Sequence, residues 1–341
     1  MKSSYIGVIA IIVIVIAAGS IYYYETLSNK VTTLVVYGSL DTTDVQPLIS
    51  SFEASHQGIK VNYIEFTPPQ AYAKITTEVA ARNSTADLIM MSNPITMKLQ
   101  QGGYLMPYAS PESSSYPSDL KDPNGYWTAM AIVPCVFVYN TQKLTPSQLP
   151  QNLSALASPQ WRGKVIMLDP TLGSVSTQYF GSLASVIGNS TLTQFMQQLE
   201  TNVKPAVTPS TKAVTEDVAN GQYDIGIVAL LNDVLSYKSQ GAPVDWFLPE
   251  GVPLLAFPES VAIIRTSQHL QADKAFVDFV LSPNAQSILG NTDYRIPALP
   301  NINAKYSISK LAPNVTVQYF PSIQVVNESA QLASEFKQMG Y

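Results

Sequence analysis

Small polar residues recur where apolar runs stop. Ser39 and Asp41 follow Thr33–Tyr37, and Ser92 and Asn93 follow Ala86–Met91. Thr171, Gly173 and Ser174 follow Lys164–Leu168, and Asn232 follows Tyr223–Leu230. These residues offer hydrogen bonds rather than a nucleophile with its base. In open α/β sheets a ligand sits outside the carboxyl ends of the strands. Helices that start there present free N–H groups and a positive partial charge, which suits an anion. The segment TLGSVS, residues 171–176, is the sharpest case: glycine lets backbone approach closely, and hydroxyls add donors. Each residue is also a preferred helix N-cap, so capping is the competing reading for any one alone.

The elements that would carry these residues follow from periodicity. Thr33–Tyr37 reads as a strand, and Val45, Leu48, Ile49 and Phe52 mark the buried stripe of a helix. Ile59–Phe66 is the next strand. Thr67-Pro-Pro-Gln70 then opens a helix with a capping-box pattern. Ala86–Met91 is a third strand. The β-α-β-α-β-α order predicts a mostly parallel α/β lobe. A second such lobe is predicted from the strands Lys164–Leu168 and Tyr223–Leu230 and the helical stripes between them. Ala272–Leu289 reads as one helix, and Glu328–Met339 as a terminal one.

Two long apolar strands, Ala131–Thr141 and Val252–Ile264, contain Pro134 and Pro258. Proline gives no N–H to a ladder, so a strand that changes neighbours partway suits it. The expectation is a chain that crosses between lobes on the first strand and returns on the second, with the ligand between. The divisions are 33–132 for the first lobe, 133–257 for the second, and 258–341 for the return with the C-terminal helix. At 341 residues a split core is expected.

Charged residues are only 13% and the net charge is −5, so no basic footprint for nucleic acid exists. The single Cys135 forms no intrachain disulfide and reads as a small buried hydrophobe. With His56 and His269 alone, a Cys/His zinc site is not expected, nor is any cofactor. There is no GxSxG elbow, phosphate loop or HExxH, so the chain is not expected to be an enzyme.

Residues 1–24 are apolar and carry one charge, Lys2. They are long enough for a transmembrane helix, with 25–32 as tether, and a cleaved signal segment is the alternative. Both readings export the chain. Sequons at Asn83, Asn152, Asn189, Asn314 and Asn327 fit an exported glycoprotein.

Five segments resemble a known family: VVYGSLDTTDVQPLISSFEASHQGIKV, STADLIMMSNP, VFVYNTQKL, PQWRGKVIMLDPTLGS and NGQYDIGIVAL. With KAFVDFVLSPNAQSILG and YRIPALP they are similar to the substrate-binding proteins of ABC importers. The resemblance is to the type II, iron(III)/thiamine/phosphorylated-sugar cluster. It implies a two-lobed type II periplasmic-binding-protein-like fold on two hinge strands, closing on a small solute for a permease and its ATPase. Iron-binding members use a His, a Glu and two adjacent Tyr, where this chain has Asp41, Ser92, and Leu231 with Asn232. The resemblance therefore implies no iron site. It implies an anion-holding turn at Thr171, Gly173 and Ser174, with Thr211 as a further polar contact. A small anionic or phosphorylated solute is expected. An iron(III)-binding component with atypical ligands, or an anchored sensor ectodomain of the same fold, is the alternative. Arg295 is either a ligand cation or a support for the lobe, and Trp127 is a candidate for stacking in the cleft.

Overall fold

The computed structural model describes residues 31–341 apart from 83, 84, 174, 293, 314 and 321. The apolar amino-terminal segment lies outside the described residues. Among those described, no helix is long and apolar enough to cross a membrane.

The first sheet runs in the order Ile59–Glu65, Thr32–Gly38, Leu88–Ser92, Leu254–Ile264 and Thr128–Asn140. Its strands are β1 (Thr32–Gly38), β2 (Ile59–Glu65), β3 (Leu88–Ser92), β5 (Thr128–Asn140) and β10 (Leu254–Ile264). β1 lies parallel to β2 and β3, with Val36 opposite both Tyr63 and Leu88. The second sheet continues through β8 (Ile225–Leu230) and β6 (Val165–Leu168) to β7 (Ala206–Thr208). Both lobes are thus α/β with parallel strands, joined where β5 belongs to each sheet.

Pro134 marks that join. It is the last residue of β5 to face β10, opposite Ala256. The next residue, Cys135, already faces Leu230 of β8. A proline with no N–H sits where one ladder ends and another begins, as its chemistry requires. Every residue of β5 and of β10 is buried, which accounts for their unbroken apolar character. The Cys135 thiol is buried, and desolvation pushes its pKa far up, which makes it inert.

The Thr42–Ser55 helix buries Val45, Leu48, Ile49 and Phe52, the stripe its spacing predicts. The segment expected as one helix from Ala272 to Leu289 is two helices, Leu270–Leu281 and Pro283–Thr292. Pro283 is the cause, since it forces the preceding residue out of helical geometry. Ser282 has ψ of 154°. The terminal helix runs from Ile323 to Met339 and packs on the second lobe: Phe336 meets Phe180, and the Tyr341 phenol donates to Met196 O at 2.7 Å. Asn152 spends its side chain capping a helix, accepting from Ala155 N, and Ser329 of the Asn327 sequon is buried.

Candidate functional site

Three helices begin at one cavity of about 210 Å³ between the lobes. The Thr42–Ser55 helix brings Asp41, Thr43 and Asp44 from the first lobe. The Thr211–Ala219 helix brings Lys212, and the Leu231–Ser239 helix brings Asn232, Asp233, Ser236 and Tyr237 from the second. Tyr294 completes the lining. Convergent helix N-termini give the cavity a positive backbone potential.

The first-lobe wall is fixed from below. The Tyr63 phenol accepts from Leu40 N at 2.9 Å and donates to Leu40 O at 2.8 Å. Glu65 at the end of β2 accepts from both the N–H and the hydroxyl of Thr42, each at 3.0 Å. Behind Asp44 lies Arg295, which is buried; its Nε donates to Glu259 Oε2 at 2.6 Å, and its guanidinium stands 3.7 Å from Asp44 Oδ2. Glu259 sits on β10 opposite Ser92 and Ala131. Arg295 therefore ties the first-lobe helix to a crossing strand, the supporting role of its two readings.

The second-lobe wall is richer in unmet acceptors. Asn232 Nδ2 donates to Asp233 Oδ1 at 3.1 Å, while Asn232 Oδ1 and Asp233 Oδ2 are buried without a hydrogen bond. Burial pushes the Asp233 carboxyl up to about 6; Arg295 and Lys212 pull it down, and Asp41 and Asp44 push it further up. Lys212 Nζ reaches Asp41 Oδ2 across the cleft at 4.0 Å.

Asp41 and Asn232 thus line the cavity, and the other described candidates stand outside its lining. Ser39 gives its N–H to Met90 O. Ser92 is buried beside Thr96, whose hydroxyl donates to its carbonyl. Asn93 is buried with its Oδ1 accepting from Ser260 at 2.9 Å. Thr171 gives both its N–H and its hydroxyl to Asp169 Oδ1, at 2.8 and 2.6 Å. Gly173 has φ of 64°, which the turn requires, and open space beside it. Ser174 lies outside the described residues. Thr211 opens its helix behind the Ser210 cap, one residue from the Lys212 that lines the cavity. Trp127 is buried away from the cleft, its Nε1 donating to Gln100 Oε1 at 2.9 Å.

Lys212, Asp233 and Tyr294 were missed by sequence reasoning. The first two adjoin expected residues, where a one-residue change of helical phase decides which side chain turns inward. Nothing local to YRIPALP marks its tyrosine as a lining residue.

Comparison with known proteins agrees with this geometry. Residues 83–320 match the family described as bacterial extracellular solute-binding protein. Iron uptake protein A1 of Synechocystis sp. is 25% identical over 289 residues, covering 80% of this chain and 78% of that one. Iron-bound HitA from Pseudomonas aeruginosa superposes with a TM-score of 0.76 at 19% identity, over 91% of this chain and 100% of that one. The periplasmic binding protein AfuA from Actinobacillus pleuropneumoniae, with exogenous fructose-6-phosphate bound, gives 0.75 at 22% identity, over 90% and 98%. The chain belongs to the bacterial extracellular solute-binding proteins, and its two-lobed α/β fold is that of the periplasmic binding proteins it superposes on.

Proposed function

We propose that the solute held between the lobes is a phosphorylated sugar or a similar hydroxyl-rich anion. The observation that carries this is the pair of buried oxygens, Asn232 Oδ1 and Asp233 Oδ2, on a cavity that also presents Lys212. A buried acceptor without a donor costs about 1–3 kcal/mol, and a solute hydroxyl removes that cost. Lys212 and three helix N-termini meet the negative end. The fructose-6-phosphate bound to AfuA is of this class. The solute is bound and released unchanged, for delivery to the permease. Residues 1–24 act as membrane anchor or signal segment in this reading, with 25–32 as tether.

A ferric ion is the second reading, favoured by Tyr237, Tyr294 and three carboxylates on the cavity and by the names of relatives such as iron uptake protein A1. Against it, two of those carboxylates already have a cation beside them, Lys212 at 4.0 Å from Asp41 and Arg295 at 3.7 Å from Asp44.

Thermal shift with fructose 6-phosphate, fructose, inorganic phosphate and ferric citrate decides between them. Fructose 6-phosphate at 100 times its Kd is expected to stabilise the fold by about 2.7 kcal/mol. Lys212→Ala is expected to weaken it roughly tenfold or more, as loss of a charged hydrogen bond does. No shift with any sugar phosphate, together with a visible tyrosinate-to-iron band on adding ferric citrate, would replace the first reading by the second.

A further inference from the structure

We propose that Tyr294 is a latch that holds the two lobes together over the solute cavity. It extends the binding reading but does not depend on which solute is bound. Tyr294 follows the first-lobe helix Pro283–Thr292, and its hydroxyl lies 2.7 Å from the Ser239 hydroxyl, at the end of the second-lobe helix Leu231–Ser239. The pair therefore joins the lobes beside the cavity that Tyr294 lines.

Tyr294 is held for this position. Its φ is 54°, a left-handed conformation that a bulky side chain rarely takes. Strained residues of this kind gather at clamps and switches, where the surroundings over-determine them. Here the surroundings are visible. The Tyr294 ring packs on that of Tyr306 at 4.9 Å, Tyr306 is buried with its N–H on Gly290 O, and Lys305 Nζ stands 4.8 Å over the Tyr306 ring. The stack sets the ring's direction toward Ser239.

The Lys212–Asp41 pair also crosses the cleft, but at 4.0 Å with both side chains mostly exposed. Such a pair is weak and screened by salt. The hydroxyl pair is neutral, so its effect survives at high ionic strength.

The test needs no solute. Spin labels on Ser50→Cys and Gln222→Cys, exposed on opposite lobes, report the lobe separation by pulsed dipolar spectroscopy. Cys135 is buried and stays unlabelled. Tyr294→Phe keeps the ring and removes only the hydroxyl, and Ser239→Ala removes its partner. Each is expected to raise the open-to-closed ratio about twofold, the low end for one net hydrogen bond, since the pair faces solvent. The change is expected equally at low and high salt, with the double variant no more open than either single one. Ser239→Thr keeps a hydroxyl and is expected to keep the parent distances. Unchanged distances in Tyr294→Phe and Ser239→Ala would overturn the latch, while solute binding, measured separately, would stand or fall on its own.

Discussion

Ser267 has one hydroxyl proton and two carboxylates beside it. Its Oγ lies 2.8 Å from Asp87 Oδ1 and 2.6 Å from Asp273 Oδ2. Asp87 is well supplied, accepting also from Val35 N at 2.8 Å and standing 3.0 Å from His269 Nδ1. Asp273 is fully buried, and its Oδ1 has no hydrogen bond. Asp273 is therefore a carboxyl with a raised affinity for a proton. Burial pushes its carboxyl up to about 6, with the Ser267 hydrogen bond opposing and the Asp87 charge adding. A raised folded-state carboxyl means that the folded chain binds the extra proton. Stability is then greatest below pH ~4 on this account, and declines as pH rises through about 6. Asp273→Asn mimics the neutral acid. It is expected to stabilise the fold at pH 8 by about 1–3 kcal/mol and to have little effect at pH 4, as measured by urea melts. Equal effects at both pH values would show that Asp273 is ionised throughout. No spacing in the sequence announces this network, because its members come from three elements. The place of Asp41 and Asn232 on the cavity was legible, since strand ends are where α/β sheets bind ligands. The bond from Thr171 to Asp169, two residues earlier, was not legible, since hydroxyl and carboxylate at that spacing also fit separate roles.

The elements carry these residues through close packing, and Gly226 shows how. A Cβ there would lie 2.6 Å from Val138 Cγ1 on β5 and 2.7 Å from Val214 Cγ1 on the Thr211–Ala219 helix. Glycine lets that helix sit close on β8, and the helix in turn points Lys212 at the cavity. Gly226→Ala is expected to destabilise the fold by about 1–3 kcal/mol, the usual cost of overpacking. It is also expected to weaken fructose 6-phosphate binding by moving Lys212, and calorimetric titration beside a thermal melt would show both losses. Lost stability with full affinity would mean that the helix start does not move. The strands and the helix stripes were readable in advance because each has a period of its own. The division at Pro283 is written in the proline itself, although Phe276, Phe279 and Val280 alone read as the stripe of one helix. The helix-breaking geometry falls on Ser282, which carries no apolar signal. The side on which the terminal helix packs was hidden, because an amphipathic stripe names no partner.

At the scale of the molecule, the two lobes share rather than divide a core. β5 lies in both sheets and is buried along its whole length. One continuous cluster of buried side chains runs from Leu34 and Phe52 in the first lobe through Val133 and Phe137 to Ile166 and Phe195 in the second. Unfolding one lobe would strip β5 of half its partners and expose its apolar side chains at about 25 cal/mol per Å². The lobes are therefore expected to unfold together, although chains of this length often populate intermediates. The tryptophans report each lobe separately. Trp127 lies beside Gln100 in the first lobe, whereas Trp161 and Trp246 lie in the second, Trp246 opposite Val138 on β5. A Trp127→Phe variant reports only the second lobe, and a Trp161→Phe/Trp246→Phe variant only the first. Their fluorescence melts are expected to coincide with each other and with circular dichroism, the signature of a single cooperative transition. Each variant's own stability change is removed by comparing its fluorescence with its own circular dichroism. A Trp127 transition displaced from that of the second lobe would mean that β5 acts as a hinge between independent cores. Lobe closure would then cost the molecule none of its shared packing.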